Sequence, residues 1–136
     1  MNLCRLVYFS QRNNSVALNM KQLIATCHKN NSKTTLTGIL HYNGEDFIQV
    51  LEGSRADVSQ TFIRIAGDPR HQKMLLMSFV DVRERLFPGW SMGLHEGMNE
   101  RTRAIFLRYF ATDKIDPSQA SVESLLDVLQ DISAEL

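Results

Sequence analysis

The chain has 136 residues, 43% apolar and 22% charged, which suits one globular domain with a single core. Fifteen basic residues balance fifteen acidic ones, so overall charge gives no reason to expect nucleic acid or an anionic membrane as a partner. The two cysteines, Cys4 and Cys27, are too few for a disulfide framework, and no segment resembles a signal peptide or a membrane span, so we expect a cytoplasmic protein.

The first third of the chain predicts a strand followed by a helix. Leu3–Ser10 is rich in bulky and β-branched residues and is typical of a strand. Apolar residues then recur at the spacing of one helix face, at Met20, Leu23, Ile24 and Cys27. This helix is expected to end near the polar stretch Lys29–Lys33.

The next segment predicts a hairpin and a second helix. Leu36–Tyr42 and Asp46–Glu52 are strand-like, and the Asn43-Gly44 dipeptide between them is a strong turn signal. Ser54 and Asp57 resemble a helix capping pair. The helix that follows has an inner face formed by Val58, Phe62 and Ile65, and it is expected to stop at Gly67-Asp68-Pro69.

Two further strands complete the predicted order of strands and helices. Met74–Val82 predicts a fourth strand and Trp90–Leu94 a short fifth. The resulting order, β-α-β-β-α-β-β, predicts an α+β ferredoxin-like sheet with two helices on one face. We expect residues 1–95 to form this domain and residues 96–136 to form a C-terminal helical extension that is too short to be an independent domain.

The extension predicts two helices. Asn99 is a candidate cap for the first, whose inner positions are Thr102, Phe106, Tyr109 and Phe110. Asp116-Pro117 predicts the start of the second. Its apolar stripe consists of Val122, Leu125, Leu126, Leu129 and Ile132. These stripes need an apolar surface, so we expect the C-terminal helices to pack on the other, open face of the sheet, with a partner chain as the alternative.

Two polar residues stand among apolar neighbours on inner strands. Phe47, Gln49 and Leu51 alternate onto one face of the third strand, and both faces of that strand are largely apolar, which predicts a central position. An unsatisfied Gln49 amide would cost roughly 1–3 kcal/mol. Tyr8 in the first strand raises the same question. The residues alone leave two interpretations open, a structural hydrogen bond in the core and joint contact with a polar ligand.

Other candidate residues have ordinary interpretations when each is taken alone. Asn30 and Asn31 end the first helix, where asparagine is a common cap, and Arg64, Arg70 and His71 are typical of solvated surface positions. The sequence contains no G-x-G-x-x-G, P-loop, nucleophile elbow or H-E-x-x-H motif. Its four histidines lack the spacing of metal ligands. No metal site and no standard catalytic site are therefore predicted.

Five segments of the chain resemble one known family in their order and spacing. They are RLVYFS (Arg5–Ser10), NNSKTTLTGIL (Asn30–Leu40), GEDFIQVLEG (Gly44–Gly53), IRIAGDPRH (Ile63–His71) and RLFPGWSM (Arg85–Met92). Over about residues 2–95 they are similar to the BLUF family of flavin photoreceptors. One departure is that the frequent Gly-Ile-Thr-Gly of the family reads Thr35-Leu36-Thr37-Gly38 here.

The resemblance implies a role for each matching residue. Tyr8 matches the redox-active tyrosine of the family, Gln49 its switching glutamine, and Asn31 the residue that holds the carbonyl edge of the isoalloxazine, with Asn30 its neighbour near the ring. The other residues assigned to flavin contact are Ile24, Phe47 and Ile65 beside the ring, and Arg64, Arg70 and His71 toward the ribityl and phosphate end. Trp90 and Met92 match the output pair of the fifth strand.

The resemblance also implies a function. A noncovalently bound flavin, usually FAD with FMN or riboflavin as alternatives, would take an electron and a proton from Tyr8 after blue-light excitation. Gln49 would then rearrange, bond the flavin C4 carbonyl more strongly and shift the absorption to the red. The signal would leave through the fifth strand and the C-terminal helices.

The expected partners follow from the short extension, which has no room for an effector domain. We expect a homodimer or higher homo-oligomer, a separate downstream protein, no nucleic acid, no membrane and no enzymatic activity. Two alternatives stay open. One is a flavin-binding adaptor without photochemistry, and the other is a ferredoxin-like enzyme of the acylphosphatase type that uses Arg64 or Arg70 with Asn31.

Overall fold

The computed structural model describes residues 2–136. Its helices and strands, in chain order, are β1 (Leu3–Arg12), α1 (Met20–Asn31), β2 (Thr37–Tyr42), β3 (Asp46–Ser54), α2 (Arg55–Ala66), β4 (His71–Val82), β5 (Gly93–Glu96), α3 (Glu100–Tyr109) and α4 (Val122–Ser133). Ser54 caps α2 and Asn99 caps α3 as predicted, each accepting a hydrogen bond from a backbone N–H of the first turn. Among these residues, no helix is both long and apolar enough to cross a membrane.

One five-stranded sheet organises the chain, in the order β4-β1-β3-β2-β5. β1 is antiparallel to both β3 and β4, β2 is antiparallel to β3, and β5 adds to β2 in parallel. The predicted α+β ferredoxin-like fold is confirmed. β3 lies at the centre of the sheet, and its residues from Phe47 to Gly53 are buried, which explains why both of its faces are apolar.

Two helical layers cover the two sheet faces. α1 and α2 pack on the face that carries Leu6 and Leu51, while α3 and α4 pack on the opposite face against Val7, Ile39 and Val50. The second layer buries the predicted stripe, including Leu125, Leu129 and Ile132. The C-terminal helices therefore cover the open sheet face of their own chain.

The predicted start of the last helix at Asp116-Pro117 is wrong. The Asp116 carboxylate accepts hydrogen bonds from the backbone N–H and the hydroxyl of Ser118, at 3.0 and 2.6 Å, and closes a single turn. α4 begins at Val122, with Ser121 as its N-cap. The apolar stripe also begins at Val122, so burial against the sheet decides where this helix forms, more than the capping residue does.

The fifth strand begins at Gly93, after the predicted start at Trp90. The reason lies in the carbonyl groups of the preceding segment. The carbonyl of Trp90 still accepts a strand-like bond from the Gly38 N–H at 3.2 Å. The carbonyls of Ser91 and Met92 instead accept side-chain hydrogen bonds from α1. Trp90 and Met92 thus precede β5, and the prediction that they lie on it is wrong.

Gly38 allows β2 to approach β3 and the segment before β5 closely. A Cβ atom at this position would lie 1.9 Å from the Val50 carbonyl oxygen. We expect Gly38→Ala to lower the free energy of unfolding by about 3 kcal/mol, because the clash is with backbone. Urea denaturation measures the change. Gly89→Ala is the matched control, since nothing lies within 4 Å of a Cβ there, and equal midpoints for the two variants would contradict the expectation.

Candidate functional site

A cavity opens between the sheet and the helices α1 and α2. It encloses about 570 Å³ of space that protein atoms do not fill, part of it open to solvent. Nine of the residues predicted from the sequence line it together: Tyr8, Asn30, Asn31, Gln49, Arg64, Ile65, Arg70, His71 and Met92. The fold thus brings into one cavity residues that are widely separated in the sequence.

Tyr8 and Gln49 form the buried floor of this cavity. They are directly opposite each other in the antiparallel β1–β3 register, so their side chains share a face. The Tyr8 hydroxyl donates to Gln49 Oε1 at 2.5 Å. Burial raises the pKa of Tyr8 well above its usual value, so the phenol remains protonated and acts as the donor.

The Gln49 amide has a weak partner on its other side. Its Nε2 donates to the Met92 sulfur at 3.2 Å, and a thioether is a poor acceptor. A primary amide offers two N–H groups and two oxygen lone pairs. Since Tyr8 and Met92 use only part of that capacity, Gln49 is suited to bond a polar ligand in the cavity as well.

The end of α1 holds the segment that carries Met92. Asn31 Nδ2 donates to the Ser91 carbonyl at 2.5 Å, and His28 Nε2 lies 2.9 Å from the Met92 carbonyl oxygen. The C-cap of α1 is Ser32, whose N–H donates to the His28 carbonyl. The Asn31 side chain therefore connects α1 to the segment before β5. It does not cap the helix, as asparagine at this position commonly would.

His71 lies beside Tyr8, whose other aromatic neighbour is Phe62. Its Nδ1 lies 2.8 Å from the Ser10 hydroxyl, and its ring centroid is 4.5 Å from that of Phe47 and 6.1 Å from that of Tyr8. Burial lowers the pKa of His71, so the ring is neutral at physiological pH. With Nδ1 engaged by Ser10, Nε2 is the nitrogen that remains for a ligand.

Two arginines contribute positive charge to the cavity. Arg70 is held by Asp68, whose Oδ2 lies 2.5 Å from Arg70 Nη2. That hydrogen bond lowers the pKa of Asp68. Arg64 has only a long contact of 3.4 Å to the Thr61 hydroxyl, and within residues 2–136 its guanidinium forms no ion pair. Arg64 is therefore the cation better placed to take an anionic group.

Three residues predicted to serve the site lie beside the cavity. Ile24 and Trp90 line an adjacent open cavity, together with His28, Leu94 and Leu136. Phe47 is fully buried, stacked on Tyr42 and in contact with the His71 ring. Met92 is buried next to Gln49 on the cavity between the sheet and the helices α1 and α2. Trp90, the other predicted output residue, lines only the adjacent cavity.

Several residues that line the cavity were not predicted from the sequence as site residues. They are Leu23, Thr26, Cys27, Leu40, Leu51, Thr61 and Asp68. Periodicity could have found most of them. Cys27 precedes Asn31 by four residues on α1, Leu51 shares the face of Gln49, and Leu40 is directly opposite Gln49 in the β2–β3 register.

The chemistry of this lining fits a flavin. Leucine, isoleucine and methionine side chains supply apolar walls for an aromatic ring, and the amides of Gln49, Asn30 and Asn31 can bond ring carbonyl and nitrogen atoms. Arg64 supplies a guanidinium for a phosphate. The Tyr8 phenol supplies an oxidisable group on the same wall.

Comparisons with known proteins point to the same ligand. The family model of the sensors of blue light using FAD, BLUF, matches residues 3–93. Over 93 residues the chain is 32% identical to the photoactivated adenylate cyclase subunit beta of Euglena gracilis, a match that covers 66% of this chain and 11% of that protein. The chain thus spans only a small part of this relative.

Two solved structures are similar over nearly the full chain. The dark-state structure of BlrB, a BLUF protein, superposes with a TM-score of 0.82 at 30% identity and covers 99% of this chain and 98% of that one. The photo-activated state of BlsA superposes with a TM-score of 0.85 at 25% identity, covering 95% of this chain and 93% of that one. The similarity therefore includes the C-terminal helices.

Proposed function

The chain belongs to the BLUF family, the sensors of blue light using FAD, and from that membership we propose that it is a blue-light receptor whose light reaction takes place at Tyr8 and Gln49. The observation that carries the proposal is the buried hydrogen bond between the Tyr8 hydroxyl and Gln49 Oε1 on the wall of the cavity. This bond supports the proposal because a phenol that could be oxidised then touches an amide that could relay its proton, beside a cavity whose lining chemistry fits a flavin.

The flavin would be held by contacts along the whole cavity. Asn31, Asn30 and Gln49 would bond the polar edge of the ring, and Ile65 and Leu23 would pack on its faces. Arg64, with His71 and Arg70, would face the ribityl and phosphate end. Support for this arrangement comes from the positions of these side chains on the cavity lining and from their hydrogen-bonding chemistry.

When bound, the flavin supplies the blue-light chromophore and, in its excited state, the oxidant for Tyr8. Tyr8 would give an electron to the flavin, and its hydroxyl proton would pass along the existing hydrogen bond to Gln49 Oε1. An amide protonated on oxygen can give up a proton from nitrogen to the flavin, and the return of the electron and a proton to Tyr8 would leave Gln49 rotated or tautomerised. Afterwards it presents a different set of donors and acceptors to the cavity and to Met92.

The signal would leave through Met92. Gln49 Nε2 donates to the Met92 sulfur, and a rotated amide would present oxygen there, which cannot donate. Loss of that hydrogen bond would release Met92, the residue directly before β5. β5 pairs with β2 and contacts α4. A shift of Met92 would therefore move β5 and, through it, the C-terminal helix α4. Trp90, on the adjacent cavity, would respond to the same shift.

We propose FAD as the flavin, held mainly through its flavin portion. Because Arg64 has no carboxylate partner among the described residues, Arg64→Ala should weaken FAD or FMN binding about tenfold or more and leave riboflavin affinity nearly unchanged. Fluorescence titration measures all three affinities. Arg55→Ala is the matched control on the same helix, since Arg55 pairs with the exposed Asp81 away from the cavity. Equal losses for FAD and riboflavin would contradict a phosphate contact.

The output of the protein is also part of the proposal. We propose a cytoplasmic, homo-oligomeric sensor without enzymatic activity, which acts on a separate protein. The two cysteines are free thiols, as a reducing compartment favours. Leu75, Leu76, Phe79 and Val80 on the edge strand β4 are exposed, and exposed apolar strand edges favour association with other chains.

The decisive experiment for this function is an absorption spectrum of the purified protein before and after blue light. The proposal predicts a yellow protein with a reversible red shift. A yellow protein with no shift would favour an adaptor without photochemistry. A colourless protein that hydrolyses acyl phosphates in the dark would favour the ferredoxin-like enzyme, and either outcome would overturn the proposal.

A further inference from the structure

The outer edge of β4 carries a row of exposed apolar side chains. Within residues 2–136, β4 is an edge strand of twelve residues whose neighbour in the sheet is β1. Four of its side chains are between 38% and 49% exposed, and we call them the β4 edge cluster: Leu75, Leu76, Phe79 and Val80. The other edge strand, β5, has only four residues. A long apolar edge such as β4 favours pairing with a strand of another chain.

The β4 edge cluster presents two side chains on each face of the sheet. The cross-strand partners of Leu75, Leu76, Phe79 and Val80 on β1 are, in that order, Phe9, Tyr8, Leu6 and Arg5. Cross-strand partners share a sheet face, and so do alternate residues of one strand. Leu75 and Val80 therefore lie on the face covered by α3 and α4. Leu76 and Phe79 lie on the face covered by α1 and α2.

A register shift in the β1–β4 pairing produces this arrangement. Between Val7 and Tyr8 the partner changes from Ser78 to Leu76, so Met77 has no partner on β1. In an uninterrupted strand, residues three or five positions apart point to opposite faces. The shift by one residue at Met77 places the two members of each pair on the same face.

The β4 edge cluster is complementary to a second copy of itself. Leu75 and Val80, and likewise Leu76 and Phe79, are placed symmetrically about the middle of the cluster. In an antiparallel pair of two β4 strands centred there, Leu75 is opposite Val80 of the partner subunit on one face. Leu76 is opposite Phe79 of the partner subunit on the other face. Such apolar cross-strand pairs stabilise a sheet, and a twofold interface requires one patch that fits itself.

The charges at the two ends of β4 favour the antiparallel direction. Lys73 lies before the β4 edge cluster and Asp81 directly after it, and both are exposed. Antiparallel pairing brings Lys73 to the end of the second strand that carries Asp81, whereas parallel pairing would place like charges side by side. Cys4 and Arg55 both contact Oδ1 of Asp81, so Oδ2 remains for a cation from another chain.

We propose that two copies of this chain form a dimer by pairing their β4 strands antiparallel, which joins the two sheets into one. The inference rests on the homo-oligomer of the proposed function and names its contact. A second copy is the occupant that the edge fits, because both apolar pairs and the charged ends match at once in a twofold arrangement.

Sedimentation velocity of the flavin-loaded full chain in the dark tests this contact. We expect the native protein to be a dimer. Leu76→Lys should raise the dissociation constant at least about thirtyfold, the effect of losing a central interface residue, because it sets an ammonium group against Phe79 of the partner subunit. Leu107→Lys is the matched control, since Leu107 on α3 is also 46% exposed, and it should remain a dimer.

Two results of this measurement would overturn the inference. A native protein that sediments as a monomer would overturn it together with the proposed homo-oligomer. A dimer that is equally stable in Leu76→Lys and in the control would overturn the β4 contact and leave the homo-oligomer in place.

Mixing two variants tests which residues are opposite each other. Phe79→Glu alone should also weaken the dimer. An equimolar mixture of Leu76→Lys and Phe79→Glu should regain it, because one cross-strand pair then joins opposite charges and the other pair is native. Leu76→Lys mixed with Val80→Glu is the control and should stay dissociated, since these positions lie on opposite faces. No recovery in the first mixture, or equal recovery in both, would overturn the inference.

An absorption spectrum of the same samples, before and after blue light, keeps this inference apart from the light reaction. Sedimentation in the dark requires no photochemistry, so a protein without a red shift that forms the dimer would still support the contact. A monomer that shows the red shift would overturn the contact and leave the light reaction in place.

Discussion

Tyr8→Phe is expected to abolish the light-induced red shift while the protein keeps its flavin. Phenylalanine preserves the ring that packs beside Phe62 and His71, so the cavity keeps its shape. The variant lacks the hydroxyl that donates to Gln49 Oε1, and with it both the easily oxidised phenol and the proton. Gln49 then has no trigger to rearrange, so the loss of the red shift should be complete.

The measurement is a light-minus-dark absorption difference spectrum at matched flavin occupancy. Tyr42→Phe is the control, because Tyr42 lies in the same core cluster but its hydroxyl donates to the Gly44 carbonyl at 2.8 Å. We expect the control to retain the full red shift. A red shift that persists in Tyr8→Phe would show that another group supplies the electron and proton.

Glu52→Ala is expected to cause the largest loss of stability, about 3–5 kcal/mol in the free energy of unfolding. The Glu52 side chain is fully buried, and its carboxylate accepts from Arg5 Nε at 2.8 Å and from the backbone N–H groups of Leu86 and Phe87 at 2.9 and 2.8 Å. Alanine would leave a largely buried guanidinium and two backbone donors without their acceptor.

Urea denaturation measures this loss, and Glu84→Ala is the control. Glu84 is exposed, so its replacement should change the free energy of unfolding by no more than about 0.5 kcal/mol. A similar small change for Glu52→Ala would mean that water replaces the carboxylate. Since Glu52 holds the segment that leads to Trp90 and Met92, we also expect any folded Glu52 variant to recover differently after light.

The sequence predicted the sheet and most of the site because those features depend on local periodicity. Alternation along β3 placed Gln49 among buried apolar residues, and the strand pairing then set it opposite Tyr8. Helical spacing likewise predicted α1 and α2. The residues themselves did not decide between a core hydrogen bond and a ligand contact, and the family resemblance was needed for that choice.

The remaining features depend on contacts between distant parts of the chain. Trp90 and Met92 precede β5 because α1 side chains bond the carbonyls of Ser91 and Met92, which strand periodicity cannot reveal. Glu52 was predicted only as the last residue of the third strand, since its partners Leu86 and Phe87 lie more than thirty residues away. The contact between the His41 and His95 rings was not predicted for the same reason, because these residues are 54 positions apart.

Light should rearrange the Gln49 amide, and an infrared difference spectrum tests this rearrangement most directly. If Gln49 bonds the flavin C4 carbonyl more strongly after illumination, the stretching frequency of that carbonyl should fall in the light-minus-dark spectrum of the flavin-loaded protein, and the change should vanish in Gln49→Leu. A red shift that appears in Gln49→Leu, or an unchanged C4 carbonyl frequency in the native protein, would contradict the account.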